Sequence, residues 1–468
     1  MKARLLGRIG RLGGMAALCA AIGLAAGAPV ASAATQTCES ITGSGSSLQN
    51  LAQKTVWAPL WEKEGFKTLT ESLECSATAK VTYEPTSSGK GLGSWGSKNG
   101  ILTPAESFNK EKLDEFVGTD VGPEGPSGTA GTQIANMDEA GKEGATKNKV
   151  VTFPVAQSAI GVIISLPVGC VAPADPTVKN GALSKAWLTG TVNFLTLVSG
   201  TTGSSCDNNA LLQAREAASG TTAGFKRYLL ALEPSAWKGC NETAVLSESQ
   251  TCWGTKSPDE EGNETGGKLA TKVFTTLGTI GYADLADARA NGFPTPGTTI
   301  EHTVGSAKLL SFIALVPNGG TAGSEGVKES PEITSGAEAG GANCEKASYP
   351  VPGEVKPNED WSKAKQENST AGVAGVYPIC TLTFDVAWHQ YNLPEWINAG
   401  AGKAKETYSE AQYHTTFNYL RWVVTEGQTG KSAEELAKAH FLKLSAGLQT
   451  EDKAGVTMEN IFFASSGK

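Results

Sequence analysis

Four short segments rich in serine, threonine and glycine follow predicted strands or begin a predicted helix. They are Ser47 with Leu48, Ser87 to Gly89, Thr119 with Asp120, and 215–221. Ligands of open α/β sheets bind at the carboxyl ends of strands. Four such ends at one edge would surround a ligand with backbone amides, hydroxyl groups, one guanidinium and one carboxylate. This pattern predicts an α/β fold built around a polar ligand site.

The segment 215–229 predicts an anion site at the start of a helix. Ser219 is a typical N-cap residue, and apolar residues recur at helical spacing from Phe225 onward. The first amides of a helix lack an intrahelical partner and carry the positive end of the helix dipole. Arg215 adds a two-pronged donor suited to phosphate or carboxylate. An ordinary capped helix beside a surface arginine explains the same residues, so both interpretations stay open here.

Short apolar runs alternate with helical patterns along the rest of the chain. A short strand, a small-residue turn and a helix start are predicted within 41–50, and further strands are predicted at 81–83, 116–120, 150–154, 160–166, 277–283 and 377–384. A helix over 417–424 is predicted to stop at Gly427. The alternation indicates α/β lobes. The segment 318–348 is rich in Gly, Ala, Glu and Ser, which is typical of a low-complexity surface insertion.

The first 33 residues resemble a secretory signal peptide. Four basic residues precede an apolar run at 15–26, and Ala31-Ser32-Ala33 is a typical small-residue cleavage site. We therefore expect cleavage and an exported product. Removal of four basic residues and no acidic one changes the formal net charge from −8 to −12. Such an acidic body argues against a nucleic-acid partner.

Eight cysteines follow the predicted signal peptide. An even count in an exported chain indicates disulfides. Many pairings are possible, and sequential pairing is the preferred one: Cys38 with Cys75, Cys170 with Cys206, Cys240 with Cys252, and Cys344 with Cys380. The sequence contains no C-x-x-C and no paired histidines, so neither a metal site nor a cofactor is expected.

In their order and combination, the segments resemble the phosphate-binding proteins of phosphate ABC transporters. The matching segments are 41–50, 83–91, 116–120, 153–165, 215–229, 280–282, 377–379 and 417–428. The resemblance implies an α/β, two-lobed periplasmic-binding-protein fold of type II with an interlobe ligand cleft. It places the first part of lobe I at 34–155, lobe II at 156–290, and the return to lobe I at 291–468, with the insertion near 318–348.

The resemblance also implies a set of phosphate ligands. They are Ser47, Leu48, Ser88, Asp120, Arg215, Ser219, Gly220 and Thr221. Asp120 would accept the proton of a protonated phosphate, and the other groups would donate. One departure concerns Arg215: the family has Arg-x-Asp-Gly-Ser-Gly-Thr, whereas this chain has Ala217 and Ala218 in place of Asp and Gly. The carboxylate that orients the arginine in the family is therefore absent from this position.

The implied function is capture of inorganic phosphate by an exported, non-enzymatic, monomeric protein that delivers it to an ABC permease. The implied location is periplasmic or extracellular, associated with the cell envelope. Two alternatives stay open, a secreted phosphate scavenger without a transporter and a secreted serine hydrolase. A hydrolase needs a nucleophile, a base and an orienting group. Ser44, Ser88 and Ser219 are candidate nucleophiles, but no histidine lies in a recognisable motif and no G-x-S-x-G is present.

Overall fold

The computed structural model describes most of the chain after the predicted signal peptide. The described residues are 37–64, 79–98, 102, 114–125, 132–237, 253, 258–319, 327–331, 344–394, 396–397 and 405–464. The predicted signal peptide at 1–33 lies outside them. None of the helices in these ranges combines the length and hydrophobicity that a membrane span needs.

The strands alternate with helices along the chain. The described strands are β1 (Ile41–Gly45), β2 (Val81–Pro85), β3 (Phe116–Thr119), β4 (Val150–Leu166), β5 (Thr177–Val178), β6 (Val198–Ser199), β7 (Leu211–Leu212), β8 (Thr279–Asp284), β9 (Thr299–Val304), β10 (Ala307–Ala314), β11 (Val316–Asn318), β12 (Val327–Glu329), β13 (Cys380–Trp388), β14 (Trp396–Ile397) and β15 (Lys405–Glu406).

The helices are short to medium in length. The described α-helices are α1 (Ala58–Glu64), α2 (Ser88–Ser94), α3 (Gln133–Ala140), α4 (Asn180–Thr189), α5 (Phe194–Leu197), α6 (Gly220–Leu232), α7 (Gly266–Thr275), α8 (Leu285–Ala290), α9 (Glu410–Val424), α10 (Gly430–Lys438) and α11 (Ala446–Gly455). A π-helical segment, Ala52–Trp57, precedes α1, and single 3₁₀ turns lie at Ser204–Asp207, Cys344–Lys346 and Glu426–Gln428.

A single long strand, β4, is shared by both parts of the nine-stranded sheet. The sequence predicts separate strands at 150–154 and 160–166, but the structure joins them into 17 consecutive buried residues. Pro154 lacks an amide donor, and the register with β13 shifts between Thr383 and Phe384, opposite this proline. The shift is a β-bulge, which lets the strand continue past the proline.

Each half of β4 belongs to a different part of the sheet. Its first ten residues, 150–159, pair antiparallel with β13, and the sheet continues in the order β13, β3, β1, β2. The strands β3, β1 and β2 are mutually parallel. The second half of β4 lies between β8 and β10, with β7 and β9 outside them, and β7 is parallel to β8. The carboxyl ends of the parallel strands therefore share one edge within each part.

Two separate hydrophobic cores cover these two parts of the sheet. The first contains Trp95 stacked on Trp388, with ring centroids 4.3 Å apart. The second contains Phe225 stacked on Tyr282 at 4.5 Å. Burial of apolar surface is the main favourable contribution to folding, so each core defines a lobe. The predicted α/β fold with two lobes is confirmed.

The strand order and the two cores suggest where the chain passes from the second lobe back to the first. The sequence assigns 291–468 to the return to lobe I. In the structure β9 and β10 extend the second part of the sheet, and Tyr377, Ile379 and Cys380 still pack in the second core. The first core contains Val355, Trp361 and Ala364 before this point, and Leu382 and later residues after it. We therefore propose that the chain first reaches lobe I at 355–364, enters lobe II again at 377–380 and crosses back along β13, so that β4 and β13 are crossing strands.

Two disulfides of the preferred pairing are confirmed. Cys170 is bonded to Cys206 and Cys344 to Cys380, each across 36 residues. The other two predicted pairs include Cys75, Cys240 and Cys252, which lie outside the described residues. At the start of the predicted insertion, β11 pairs with β12, and the segments 320–326 and 332–343 lie outside the described residues.

Candidate functional site

The first lobe contributes three consecutive strand ends to the candidate site. Ser47 follows β1, Ser88 begins α2 directly after β2, and Asp120 follows β3. Because these strands are parallel neighbours, the three residues meet at one edge of the sheet. Each of them is at most 4% exposed. After β1 and β2 a short turn leads into a helical segment, and this places the hydroxyl groups of Ser47 and Ser88 close to the edge of the sheet.

The second lobe contributes the start of α6. Ser219 is its N-cap, as predicted, and its Oγ accepts a hydrogen bond from the amide of Thr222 at 3.4 Å. Gly220 begins the helix directly against Asp120: a Cβ at this position would lie 2.4 Å from the Asp120 Cβ. Glycine is therefore required here for the two lobes to approach.

Asp120 is a buried carboxyl group surrounded by donors. Its Oδ1 accepts hydrogen bonds from the hydroxyl groups of Ser46 and Thr383, the latter at 2.9 Å, and its Oδ2 accepts from Ser88 Oγ at 3.3 Å. Burial raises the pKa of Asp120, and the hydrogen bonds and the charge of Arg215 oppose that rise. With two donors on Oδ1, Oδ2 is the oxygen better placed to accept a hydrogen bond from a ligand hydroxyl.

Ser88 links the two lobes through its hydroxyl oxygen. This oxygen accepts from the amide of Asp120 at 3.2 Å and from the amide of Gly220, in the other lobe, at 3.3 Å. One residue further on, the amide of Gly89 donates to the carbonyl of Ala218 at 3.2 Å. The lobes are thus in direct contact at the site, and the cleft is closed.

Arg215 is oriented by backbone carbonyls. Its Nε donates to Asn263 O at 3.1 Å and its Nη2 to Glu264 O at 2.5 Å. Its Nη1 donates to Ser47 Oγ at 3.1 Å and to Ser219 Oγ at 3.0 Å. The loop before α7 therefore orients the Arg215 guanidinium, since Ala217 has no carboxylate that could do so.

Burial lowers the pKa of the Arg215 guanidinium, and the nearby Tyr282, Asp287, Asp120 and Asp284 oppose that change. An arginine side chain stays protonated in proteins, so it brings a fixed positive charge to a buried site. A buried positive charge of this kind favours binding of an anion.

The remaining predicted site residues lie in the same cluster. The amide of Leu48 donates to Ser46 Oγ at 3.1 Å. Thr221 is in the first turn of α6, and its Oγ1 is buried with no hydrogen-bond partner in the described part of the chain. The structure thus brings all eight predicted residues together. Their role as phosphate ligands stays a prediction.

Sequence reasoning missed several residues of this cluster. Ser46 lies beside Ser47 in the same serine-rich turn, so it was within reach of the sequence. No sequence signal marks the other members of the cluster, which are Thr383 on β13, the carbonyls of Asn263 and Glu264, and the amide of Gly266. This amide donates to Ser47 Oγ at 3.2 Å. Their positions depend on which distant strands and loops become neighbours.

The arrangement suits a small tetrahedral oxyanion. It offers a guanidinium, several hydroxyl groups and the amides at a helix start, together with the Asp120 carboxylate as an acceptor for a ligand proton. No group of three or more His, Cys, Asp or Glu residues with metal-binding geometry occurs among the described residues.

No protein-family model matches the chain, and no curated protein sequence matches it. Solved structures match its fold. A high-affinity periplasmic phosphate-binding protein, PfluDING, solved with bound phosphate, matches with a TM-score of 0.53 and 16% identity, over 89% of this chain and 93% of that one. A human phosphate-binding apolipoprotein matches with a TM-score of 0.52 and 16% identity, over 90% and 96%. A DING protein matches with a TM-score of 0.51 and 16% identity, over 88% and 93%.

These similarities extend over nearly the full length of both chains. Together with the two cores and the crossing strand β4, they assign this chain to the two-lobed fold of the periplasmic phosphate-binding proteins. At this level of identity the similarity concerns the fold. The function depends on the chemistry of the site itself.

Proposed function

We propose that this protein is an exported, non-enzymatic solute-binding protein that captures inorganic phosphate between its two lobes and delivers it to an ABC transporter. The observation that supports this most directly is the meeting of Asp120 and Ser88 of one lobe with Arg215 and Gly220 of the other. A closed cluster of donors with a single positive side chain and a buried carboxylate matches an anion that keeps a proton.

Phosphate fits this description better than sulfate does. At neutral pH much of the phosphate still carries a proton, whereas sulfate carries none. Oδ2 of Asp120 can accept a hydrogen bond from the protonated oxygen. Facing sulfate, the same carboxylate meets only acceptors, and an unpaired buried acceptor costs on the order of 1–3 kcal/mol.

A hydrolase is less well supported by the surroundings of the serines. Ser88 and Ser219, two candidate nucleophiles, form hydrogen bonds with other groups of the anion site. A serine–histidine contact does occur elsewhere, where His302 Nε2 lies 2.8 Å from Ser311 Oγ. Ser311 is fully buried in the strand β10, where a substrate does not reach its hydroxyl group, so this pair is a structural contact.

Export is proposed on two grounds. The segment 1–33 has the composition of a signal peptide, and two disulfides are typical of proteins from oxidising compartments. Retention at the cell envelope and a monomeric state complete the proposal, and both rest on the family resemblance.

Calorimetric titration of the mature protein with phosphate, sulfate and arsenate tests the binding function. We expect one site that prefers phosphate and arsenate over sulfate, and we expect Arg215→Ala to weaken it strongly. Absence of phosphate binding by the folded protein would contradict the proposal. Uptake of labelled phosphate by cells with and without this gene then separates transport from scavenging, because a scavenger would leave uptake unchanged.

A further inference from the structure

Two buried carboxyl groups lie together directly behind the anion site. Asp284 ends β8 and is the N-cap of α8, where its Oδ1 accepts a hydrogen bond from the amide of Asp287 at 2.9 Å. The helix α7 begins against both side chains. A Cβ at Gly266 would lie 2.2 Å from Asp287 Oδ2 and 3.1 Å from Asp284 Oδ2. Glycine at 266 therefore leaves the space that the two carboxyl groups share.

The backbone segment 263–266, which contacts the two carboxyl groups at Gly266, also shapes the anion site. The amide of Gly266 donates to Ser47 Oγ at 3.2 Å, and the carbonyls two and three residues earlier hold Arg215. On the other side, Tyr282 precedes Asp284 by two residues. Its hydroxyl oxygen accepts from the amide of Arg215 at 3.2 Å and lies 2.7 Å from Thr222 Oγ1. The carboxyl pair is thus joined to Arg215 from two directions.

Two charged groups from other elements face the pair. Arg215 lies three residues after β7, and Asp120 directly follows β3. Two adjacent buried carboxyl groups disfavour double ionisation. Burial raises the pKa of Asp284 well above its usual range. It also raises the pKa of Asp287 to about 6, against the opposing effects of the Asp284 hydrogen bond and the Arg215 charge. Burial therefore favours a proton on Asp284, and Asp287 is the member of the pair whose charge changes near pH 6.

We propose that Asp287, supported by Asp284, is a proton-linked determinant of oxyanion affinity: it supplies a negative charge facing Arg215, and its protonation tightens phosphate binding. This inference rests on the proposed function. A bound phosphate is repelled by a nearby ionised carboxylate and is less repelled once that carboxylate is neutral. By linkage, phosphate binding in turn favours proton uptake by Asp287.

The test compares the phosphate affinity of the parent protein with that of Asp287→Asn between about pH 5 and about pH 8. Phosphate itself titrates in this range, but its titration cancels in the ratio of the two dissociation constants. We expect the variant to bind phosphate about tenfold more tightly than the parent near pH 8 and equally well near pH 5. Glu301→Gln, an exposed acid of the same lobe, is the matched control and should give a constant ratio near one.

A ratio that does not change with pH, or a variant that binds more weakly at every pH, would overturn the inference and leave Asp287 with a purely structural role. A second measurement needs no phosphate. Since folding raises the pKa of Asp287, the parent should lose stability relative to Asp287→Asn as the pH rises through about 6. A constant difference between the melting temperatures of the two proteins across this pH range would also overturn the inference. Failure to bind phosphate at any pH would contradict the proposed function instead.

Discussion

Arg215 Nη1 donates a hydrogen bond to Ser47 Oγ at 3.1 Å, between residues that are 168 positions apart and belong to different lobes. The amide of Gly220 makes a second such contact with Ser88 Oγ at 3.3 Å. These bonds exist only when the lobes are together. The site is therefore a property of the closed conformation, and a ligand that contacts both lobes stabilises that conformation by its differential affinity.

Removal of the guanidinium should weaken phosphate binding more than removal of the Ser88 hydroxyl. Hydrogen bonds to charged groups contribute roughly 1.5–3 kcal/mol and neutral ones roughly 0.5–1.5 kcal/mol. We expect Arg215→Ala to raise the dissociation constant about 10- to 100-fold and Ser88→Ala about 3- to 10-fold. Calorimetry checks both. Arg421→Ala, whose guanidinium binds backbone carbonyls elsewhere in the first lobe, is the control. Equal losses for the two site variants would mean that Arg215 does not contact phosphate.

Asp120 should set the preference for phosphate over sulfate. Sites that hydrogen-bond a ligand hydroxyl reject analogues without it by factors of up to about 10⁴–10⁵. Asp120→Asn replaces an acceptor-only group with one that can also donate. Sulfate should therefore compete better against labelled phosphate in the variant than in the parent. A parent that already binds both anions equally, or a variant with unchanged preference, would exclude this role.

Closure should depend on the absence of a side chain at Gly89. A Cβ there would lie 2.6 Å from the Ala218 Cβ in the opposite lobe. Gly89→Ala should therefore hold the cleft partly open, weaken phosphate binding and leave a larger radius of gyration in small-angle scattering with phosphate present. Adding Ala218→Gly should restore much of the affinity.

The matched control for this experiment is Gly447→Ala. Gly447 also lies in a helix, but a Cβ there would meet nothing within 4 Å. We expect it to leave affinity and scattering unchanged. If Gly89→Ala binds phosphate as the parent does, the contact between the lobes at Ala218 is not needed for closure.

Stability should fall with rising pH because of Asp385 in the first core. This residue is fully buried on β13, and burial raises the pKa of its carboxyl group to about 8, against the hydrogen bonds from Gln49 and Gln53. The folded state thus holds the proton more tightly than the unfolded state. The stabilisation from this protonated carboxyl group is complete below the ordinary pKa of an aspartate, and it is lost as the pH rises through about 8.

Urea unfolding of the parent and of Asp385→Asn, from about pH 4 to about pH 8, checks this expectation. The free energy of unfolding of the parent should decrease relative to the variant by about 1.4 kcal/mol for each pH unit. Asp175→Asn, at an exposed position, should show no such trend. A constant difference between parent and variant would show that Asp385 does not titrate in this range.

The local features of the site could be predicted from the sequence. Ser219 as an N-cap and the strands before Ser47 and Asp120 depend on residues close together in the chain. Short-range hydrogen bonding and the period of apolar residues determine such features. The convergence of the four segments followed from the rule that ligands bind at the carboxyl ends of strands, and the choice of eight residues within them followed from the family resemblance.

Only the tertiary structure decided how Arg215 is held and what lies behind it. The carbonyls of Asn263 and Glu264, the hydroxyl of Thr383 and the pair Asp284 and Asp287 come from elements far away in the chain. Their contacts depend on which strands pair across the sheet and on where β4 and β13 cross between the lobes. Such contacts form when apolar surfaces of distant elements are buried together. A single sequence does not reveal them, because the hydrophobic effect that drives the burial is not directional.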